Sequence, residues 1–237
     1  MIHSNELLNV VLFVGILIPS IIFHEVSHGW VAERFGDRTA RDAGRITLNP
    51  IRHIDPFGSL LVPGLMAFAG GPIFGWAKPV PVNPAALPRP TRDMAVVALA
   101  GPVSNLVLAA AVALVVRWPM VDNPSCTGFG TLVDIGGREL GVQCLGGGAG
   151  VATGGLATRV LLALVVVNIA LAIFNLLPIP PLDGSRLLPL ALGERARVAY
   201  YRFSAYGILV LFALLFLFPG GLAFVWDLTG SIAGLLI

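Results

Sequence analysis

The chain has 237 residues, of which 56% are hydrophobic and only 12% are charged. A soluble domain carries about 25% charged residues, so this composition excludes an ordinary soluble globule and predicts one membrane-embedded domain over residues 1–237. The net charge is only +2, and no basic run is interleaved with aromatic residues, so no nucleic-acid partner is expected.

The apolar segments predict an all-α integral membrane protein, a polytopic helix bundle. Residues 7–23 form the first apolar span, and the helical pattern continues to Phe35. Residues 57–82 are interrupted by Pro and Gly, which predicts a re-entrant or extended segment instead of a full span. The remaining apolar stretches are predicted as further spans and, for the last one, a weaker tail: 94–116, 156–177, 203–218 and 221–237.

The basic residues indicate the orientation in the membrane. Twelve of the fifteen lie in segments 34–55, 77–92 and 183–202, and the other three lie in the loop 117–159. Positive charge favours the cytoplasmic side. We therefore predict a multi-pass cell-membrane protein in which the first three segments face the cytoplasm and the Gly-rich loop 119–155 is extracytoplasmic.

Both cysteines, Cys126 and Cys144, fall in this outer loop. An oxidising compartment permits a disulfide between them. Two unrelated free thiols are the alternative.

The sequence His24-Glu25-Val26-Ser27-His28 is an HExxH motif on the first predicted helix. Histidines at i and i+4 lie on one helical face, so both imidazoles can reach one metal ion. Glu25 follows the first ligand and is placed to accept the proton of a water molecule. Two solvated histidines at a helix end are the alternative, although ionisable groups in a membrane helix are costly and usually functional.

A catalytic zinc ion usually has three protein ligands and an open position for water. The remaining candidates for the third ligand are His3, His53, Asp55, Asp183 and Glu194. By helical rise, His24 lies about 25 Å and the end of the third span about 26 Å from the outer boundary, near the inner edge of the hydrocarbon core. Asp183 follows that span after a proline-broken turn, so depth favours Asp183, while His53 and Asp55 remain open. His3 lies at the opposite face, and Glu194 lies within a basic loop.

Several motifs together resemble the site-2 protease family of intramembrane zinc metalloproteases. Over residues 15–190 they occur in the family's order. The elements that carry the resemblance are HEVSH (24–28), NPIRHIDP (49–56), GWAKPVP (75–81), GPVSN (101–105) and NLLPIPPLDG (175–184). The second and third of these are similar to a compact bacterial branch of the family.

This resemblance implies an intramembrane protease with a three-helix catalytic core, acting on transmembrane protein substrates within the lipid bilayer. It implies one Zn²⁺ per chain, with ligands at His24, His28 and Asp183 and the catalytic glutamate at Glu25. The family often adds a PDZ or CBS domain, for which this sequence has no room. A separate, unidentified regulatory protein is therefore a hypothesis for how access is controlled.

Three further residues are candidates for substrate binding. Asn105 is expected to bind the substrate backbone or the oxyanion, or else to hydrogen-bond a neighbouring helix. Asn175 is a similar candidate, with capping of its helix as the alternative. Lys78 is a candidate for the substrate entrance, with an interfacial anchor as the alternative.

Two other functions are compatible with intramembrane His and Asp residues. A zinc transporter or channel also uses such residues, but it would gain nothing from a glutamate beside the first ligand. A proteolytically silent scaffold would hold zinc for structure, but structural sites usually have four ligands.

Overall fold

The computed structural model describes residues 4–55, 61, 65, 78–120, 133–134, 139–140, 156–217, 220 and 223–237. These residues are predominantly helical. The α-helices are α1 (Ser4–Arg34), α2 (Thr39–Asp42), α3 (Pro90–Met120), α4 (Leu156–Asn175), α5 (Leu188–Ala191), α6 (Glu194–Ser204), α7 (Gly207–Leu217) and α8 (Ala223–Leu236). Short 3₁₀ helices occupy Pro50–His53, Pro84–Ala86 and Asp183–Leu187. Strand β1 (Val133–Asp134) pairs antiparallel with β2 (Glu139–Leu140).

Two of the described helices are long and apolar enough to cross a membrane. They are Val11–Arg34 within α1 and Pro90–Val116 within α3, with mean hydropathies of 1.7 and 2.2. At 1.5 Å per residue both exceed the roughly 30 Å of a bilayer's hydrocarbon core. Val160–Asn175 and Ala223–Leu236 are also apolar but shorter. The prediction of a helical protein with membrane-compatible helices is therefore confirmed.

Helices α1, α3 and α4 pack against one another, and α8 packs on α4. Ala109 and Ala113 of α3 belong to one buried cluster with Val165 and Ile169 of α4. These alanines let the two backbones approach closely, which is how apolar helices gain van der Waals contact where lipid offers no hydrophobic driving force. The result is a three-helix core with α8 on its outside.

After α4 the chain turns back onto the end of that helix. Leu177 and Leu182 flank the turn, and both lie in the buried cluster. Gly184 follows, and a Cβ added to it would lie 2.0 Å from the carbonyl oxygen of Leu176, so only glycine fits here. The tight return carries Asp183 back beside the histidines of α1.

The predicted span at 203–218 is wrong in its extent. Helix α6 ends at Ser204 and α7 begins at Gly207. At the start of α7 the chain passes directly against Pro180, and a Cβ on Gly207 would lie 2.4 Å from the Pro180 Cβ. Helix α7 has 11 residues, about 16 Å of rise, which is too short to cross a hydrocarbon core.

The predicted weak tail at 221–237 forms a helix, α8. It buries Val225, Thr229 and Ala233, spaced four residues apart on one face. Most of 57–77 and the cysteine-bearing part of the Gly-rich loop lie outside the described residues, so the re-entrant segment and the disulfide stay predictions.

Candidate active site

The two histidines of the HEVSH motif lie side by side on α1 and are buried. His24 is 5% exposed and His28 is 8% exposed. Their Nε2 atoms are 3.1 Å apart, as the i, i+4 spacing on one helical face predicts. Both rings therefore present a nitrogen to the same point.

Asp183 completes a cluster with these histidines from 155 residues further along the chain than His28. Its Oδ2 atom lies 3.0 Å from His24 Nε2 and 3.2 Å from His28 Nε2. Among the described residues, these three side chains form the group able to hold a metal ion. The turn after α4, closed by the contact of Gly184 with Leu176, brings the carboxylate there.

The cluster fits a zinc ion in its spacing, its chemistry and its free space. Zinc bonds to nitrogen and oxygen are about 2.0–2.2 Å, so two ligand atoms of a tetrahedral site lie roughly 3.3 Å apart, close to the separations of 3.0, 3.2 and 3.1 Å found here. Gly101 of α3 faces both rings, and a Cβ there would lie 2.5 Å from each Nε2 atom. The missing side chain leaves room beside the donor atoms.

The Nδ1 atoms of both histidines are engaged on the side away from the cluster. His28 Nδ1 lies 2.7 Å from the carbonyl oxygen of Val97, and His24 Nδ1 lies 2.6 Å from Asn105 Oδ1. Since a carbonyl oxygen can only accept, each Nδ1 carries the proton and donates. Each Nε2 is therefore the nitrogen left to bind a metal ion, the arrangement usual for metal-binding histidines.

Glu25 is held by an irregular segment, residues 78–83, here called the strap. Its Oε2 atom accepts a hydrogen bond of 2.9 Å from the N–H of Val80. The strap is tied at both ends, because Lys78 N–H donates to the carbonyl of His53 and Asn83 N–H donates to Asp37 Oδ2. The strap therefore lies across the glutamate of the HEVSH motif.

Asp37 anchors one end of the strap and is itself buried. Burial by itself would raise the pKa of Asp37, but hydrogen bonds from Thr39 and from the Asn83 N–H outweigh it and lower the pKa below its ordinary value. The carboxylate is consequently charged at neutral pH. It can accept all of these hydrogen bonds at once.

The structure places the three substrate-binding candidates differently. Asn105 is fully buried and its amide contacts His24, Ser20 and Asn168. Asn175 is partly buried, and its Nδ2 donates to the Leu171 carbonyl of its own helix. The Lys78 residue is exposed on the strap. Of the three, Asn105 is the one that contacts a residue of the metal cluster.

The other candidates for the third ligand lie elsewhere. His53 is buried and its Nε2 lies 2.8 Å from the Thr47 carbonyl oxygen, which orders the loop before the strap. Glu194 begins α6 and is exposed. Asp55 is outside the metal cluster. His3 lies outside the described residues.

Sequence reasoning missed three contributors to the site, namely Val80, Gly101 in its contact with the histidines, and Asn168. Asn168 carried a usable signal, because a lone asparagine in an otherwise apolar segment of α4 is costly unless it is paired. Val80 carried none, since its backbone N–H is what contacts Glu25.

Comparison with known proteins agrees with this geometry. The sequence model of Peptidase family M50 matches residues 12–218. A Bacillus subtilis (strain 168) protein named "Putative zinc metalloprotease YwhC" is 37% identical over 215 residues, covering 91% of this chain and 84% of the relative. A Mycolicibacterium smegmatis (strain ATCC 700084 / mc(2)155) protein named "Putative zinc metalloprotease Rip2" is 28% identical over 207 residues, 83% of this chain and 63% of that protein.

No solved structure gives a significant match. The family match nevertheless runs through the HEVSH helix, α3 and the turn that carries Asp183. The chain therefore belongs to Peptidase family M50, the family of the site-2 proteases, and is a zinc metalloprotease.

Proposed function

We propose that this chain is an intramembrane protease that hydrolyses peptide bonds in or near the transmembrane segments of other membrane proteins. The observation that carries this proposal is the position of the metal cluster. His24 and His28 lie within Val11–Arg34, a helix apolar enough to span a membrane, and Asp183 closes the cluster from the turn after α4. A protease site built into such a helix faces substrates that are themselves in the membrane.

In the proposed mechanism, His24, His28 and Asp183 hold the zinc ion and Glu25 moves the protons. Zinc held there supplies Lewis acidity, which polarises the scissile carbonyl and lowers the pKa of a water molecule to about 7. Glu25 accepts the proton as water attacks the carbonyl carbon. The same carboxylic acid then delivers this proton to the leaving amine, which restores Glu25 for the next cycle.

The strap holds Glu25 in place for its role as a base. The carboxylate accepts the Val80 N–H at Oε2, and the two oxygens of a carboxylate offer about four acceptor sites in all. The remaining lone pairs can therefore take a proton from water while the hydrogen bond to Val80 fixes the side chain.

The strap also limits how an extended substrate can pair with it. The N–H groups of successive residues point to opposite sides of an extended chain, and those of every second residue point to the same side. The N–H groups of Lys78 and Val80 point towards the protein and donate to the His53 carbonyl and the Glu25 carboxylate. The residues whose backbone faces outward are Pro79 and Pro81, which have no N–H group. The outward edge therefore offers carbonyl acceptors and favours a substrate that donates its own N–H groups.

The remaining assignments follow from the same proposal. The chain is a single domain, multi-pass in the cell membrane, with the site near the cytoplasmic side and transmembrane proteins as substrates. Lys78 lies at the substrate entrance and Asn175 contributes to substrate binding. A separate regulatory protein controls access.

The test measures metal content and cleavage together on detergent-purified protein. Wild type, Glu25→Gln and Asp183→Ala are compared on a panel of transmembrane peptides, with zinc counted by mass spectrometry. Glu194→Gln makes the same replacement of carboxylate by amide at an exposed residue and serves as the matched control for Glu25→Gln.

We expect Glu25→Gln to retain zinc without cleavage, Asp183→Ala to lose both, and Glu194→Gln to keep both. Full cleavage by Glu25→Gln would refute the mechanism. Zinc bound equally in all variants would remove Asp183 from the site, and zinc bound by a wild type that cuts none of the peptides would favour a transporter or a scaffold.

A further inference from the structure

Behind His24, on the side away from the metal cluster, three polar side chains are buried between α1, α3 and α4. They are Ser20, Asn105 and Asn168, each with no exposed surface. Unpaired polar groups at such a position would cost several kcal/mol, and all three are hydrogen-bonded. The order of these hydrogen bonds determines which way each amide faces.

The order starts at a backbone carbonyl of α4. Asn168 Nδ2 lies 2.8 Å from the Leu164 carbonyl oxygen, which can only accept, so this end of the side chain must be the NH₂ group. The same Nδ2 lies 3.0 Å from Ser20 Oγ. Ser20 donates its own hydrogen to the Ile16 carbonyl at 2.8 Å, so its oxygen accepts from Asn168.

The orientation of the Asn168 amide fixes that of Asn105, which in turn contacts His24. Because its NH₂ group already donates to Leu164 and Ser20, Asn168 presents Oδ1 to Asn105 Nδ2, at 2.7 Å. Asn105 Nδ2 also lies 3.4 Å from the Ser20 carbonyl oxygen. Asn105 must then present Oδ1 to His24 Nδ1, at 2.6 Å. Because that oxygen carries no hydrogen, His24 Nδ1 holds a proton, and Nε2, which faces Asp183, is the nitrogen left to bind a metal ion.

We propose that Asn168 is a positioning residue that sets the tautomer of His24 through Asn105, and so keeps Nε2 available to the metal. This inference rests on the proposed ligation of zinc by His24. His28 needs no such device, since its Nδ1 donates to the Val97 backbone carbonyl, which cannot turn around. The partner of His24 is a side-chain amide, and an amide can flip by 180° unless a third group holds it.

The proposal predicts opposite results for two substitutions at one position. Asn168→Leu keeps a branched side chain, of larger volume, but removes the closer of the two acceptors that hold the Asn105 NH₂ group. Only the Ser20 carbonyl at 3.4 Å remains, so Asn105 can flip, place its NH₂ group on Nδ1 and drive the proton to Nε2. Zinc affinity should fall by about 10–100-fold, as for other partners of metal-binding histidines. Asn168→Asp keeps an oxygen facing Asn105 in either protonation state and should retain the affinity, although it adds a buried acid.

The experiment measures zinc dissociation constants by chelator competition on the detergent-purified full chain. Asn168→Leu, Asn105→Leu and the double variant form a double-mutant cycle, and Thr229→Val, an equally buried polar side chain on α8, is the control. Nitrogen NMR of the zinc-free protein, labelled at its four histidines, reports which ring nitrogen of His24 is protonated. It is recorded in an Asp183→Ala background, which removes the carboxylate that lies 3.0 Å from His24 Nε2.

The proposal is supported if Asn168→Leu lowers zinc affinity no further once Asn105 is leucine, and if the NMR spectrum of Asn168→Leu shows the proton on Nε2. Asn168→Asp and Thr229→Val should both bind zinc like wild type. Additive losses, or a loss with Asp as large as with Leu, would overturn the proposal, because both indicate packing alone. If Asn168→Leu does not fold, Asn168→Ala removes the same amide and is measured in its place.

His24→Ala separates this inference from the proposed zinc site. If His24→Ala binds zinc like wild type, the site itself is wrong. If His24→Ala loses zinc while Asn168→Leu binds it with unchanged affinity, the site stands and the tautomer proposal fails.

Discussion

Replacing Gly101 with alanine should expel zinc while leaving the helix bundle folded. The new Cβ would lie 2.5 Å from His24 Nε2 and 2.5 Å from His28 Nε2, whereas ordinary contacts begin near 3.4 Å. Each imidazole would have to retreat by about 0.9 Å, but zinc–ligand distances tolerate only about 0.2 Å. The methyl group therefore takes the space beside the two donor atoms, and they can no longer converge with Asp183.

The assay for Gly101→Ala is zinc per chain after gel filtration, together with the thermal midpoint and peptide cleavage. Overpacking costs about 1–3 kcal/mol, and the metal-free rings can relieve part of it by moving apart, so the protein should remain folded. Gly15→Ala is the matched control, because Gly15 is also in a membrane-compatible helix and a Cβ there meets nothing within 4 Å. A Gly101→Ala protein that binds one zinc ion with wild-type affinity would refute the reasoning.

Three further predictions concern the proton carrier, the strap and the metal. Glu25→Gln should lower kcat by about 10²–10⁴-fold at unchanged zinc content, because an amide cannot accept the proton; a smaller loss in stopped-flow cleavage contradicts this. Asp37→Ala should destabilise the fold by about 1–3 kcal/mol, since it leaves the Thr39 and Asn83 donors unpaired, whereas the exposed Asp42→Ala should not. The pKa of Asp37 is lowered in the folded protein. The stability that its carboxylate adds is therefore present above the unfolded pKa of about 3.9 and is lost as the pH falls through the lower folded value. Thermal midpoints of both variants, measured against pH, test this. Chelation should abolish cleavage while the helical circular dichroism remains, because α1, α3 and α4 pack through apolar side chains; loss of the helical signal would favour a structural role for the metal.

Local sequence determined the features that depend only on neighbouring residues. The HEVSH motif places both imidazoles on one helical face, because the period of an α-helix is independent of the rest of the chain. Apolar length predicted α1 and α3 as membrane-compatible helices for the same reason. The close approach of Gly207, at the start of α7, to Pro180 was not predictable in this way, because Pro180 lies 27 residues earlier in the chain.

The role of Asp183 was predictable from the sequence, but its position was predictable only in part. Depth along the helices and the resemblance to site-2 proteases predicted it as a ligand, and the structure brings its carboxylate to the two histidines. The approach itself depends on the turn in which Gly184 contacts Leu176. The sequence alone left His53 and Asp55 open, because no local rule says how a proline-broken turn returns.

The sequence by itself determined the class of this protein, its membrane-compatible helices α1 and α3, and the residue types able to hold zinc and move a proton. Only the tertiary structure decided three contacts. Gly101 leaves room beside the histidines, the Val80 N–H donates a hydrogen bond to the Glu25 carboxylate, and Asn168 orients the Asn105 amide. Each of these contacts joins segments more than 50 residues apart in the chain. Helical periodicity is a local property and can be read from neighbouring residues, whereas such contacts exist only once the helices have packed.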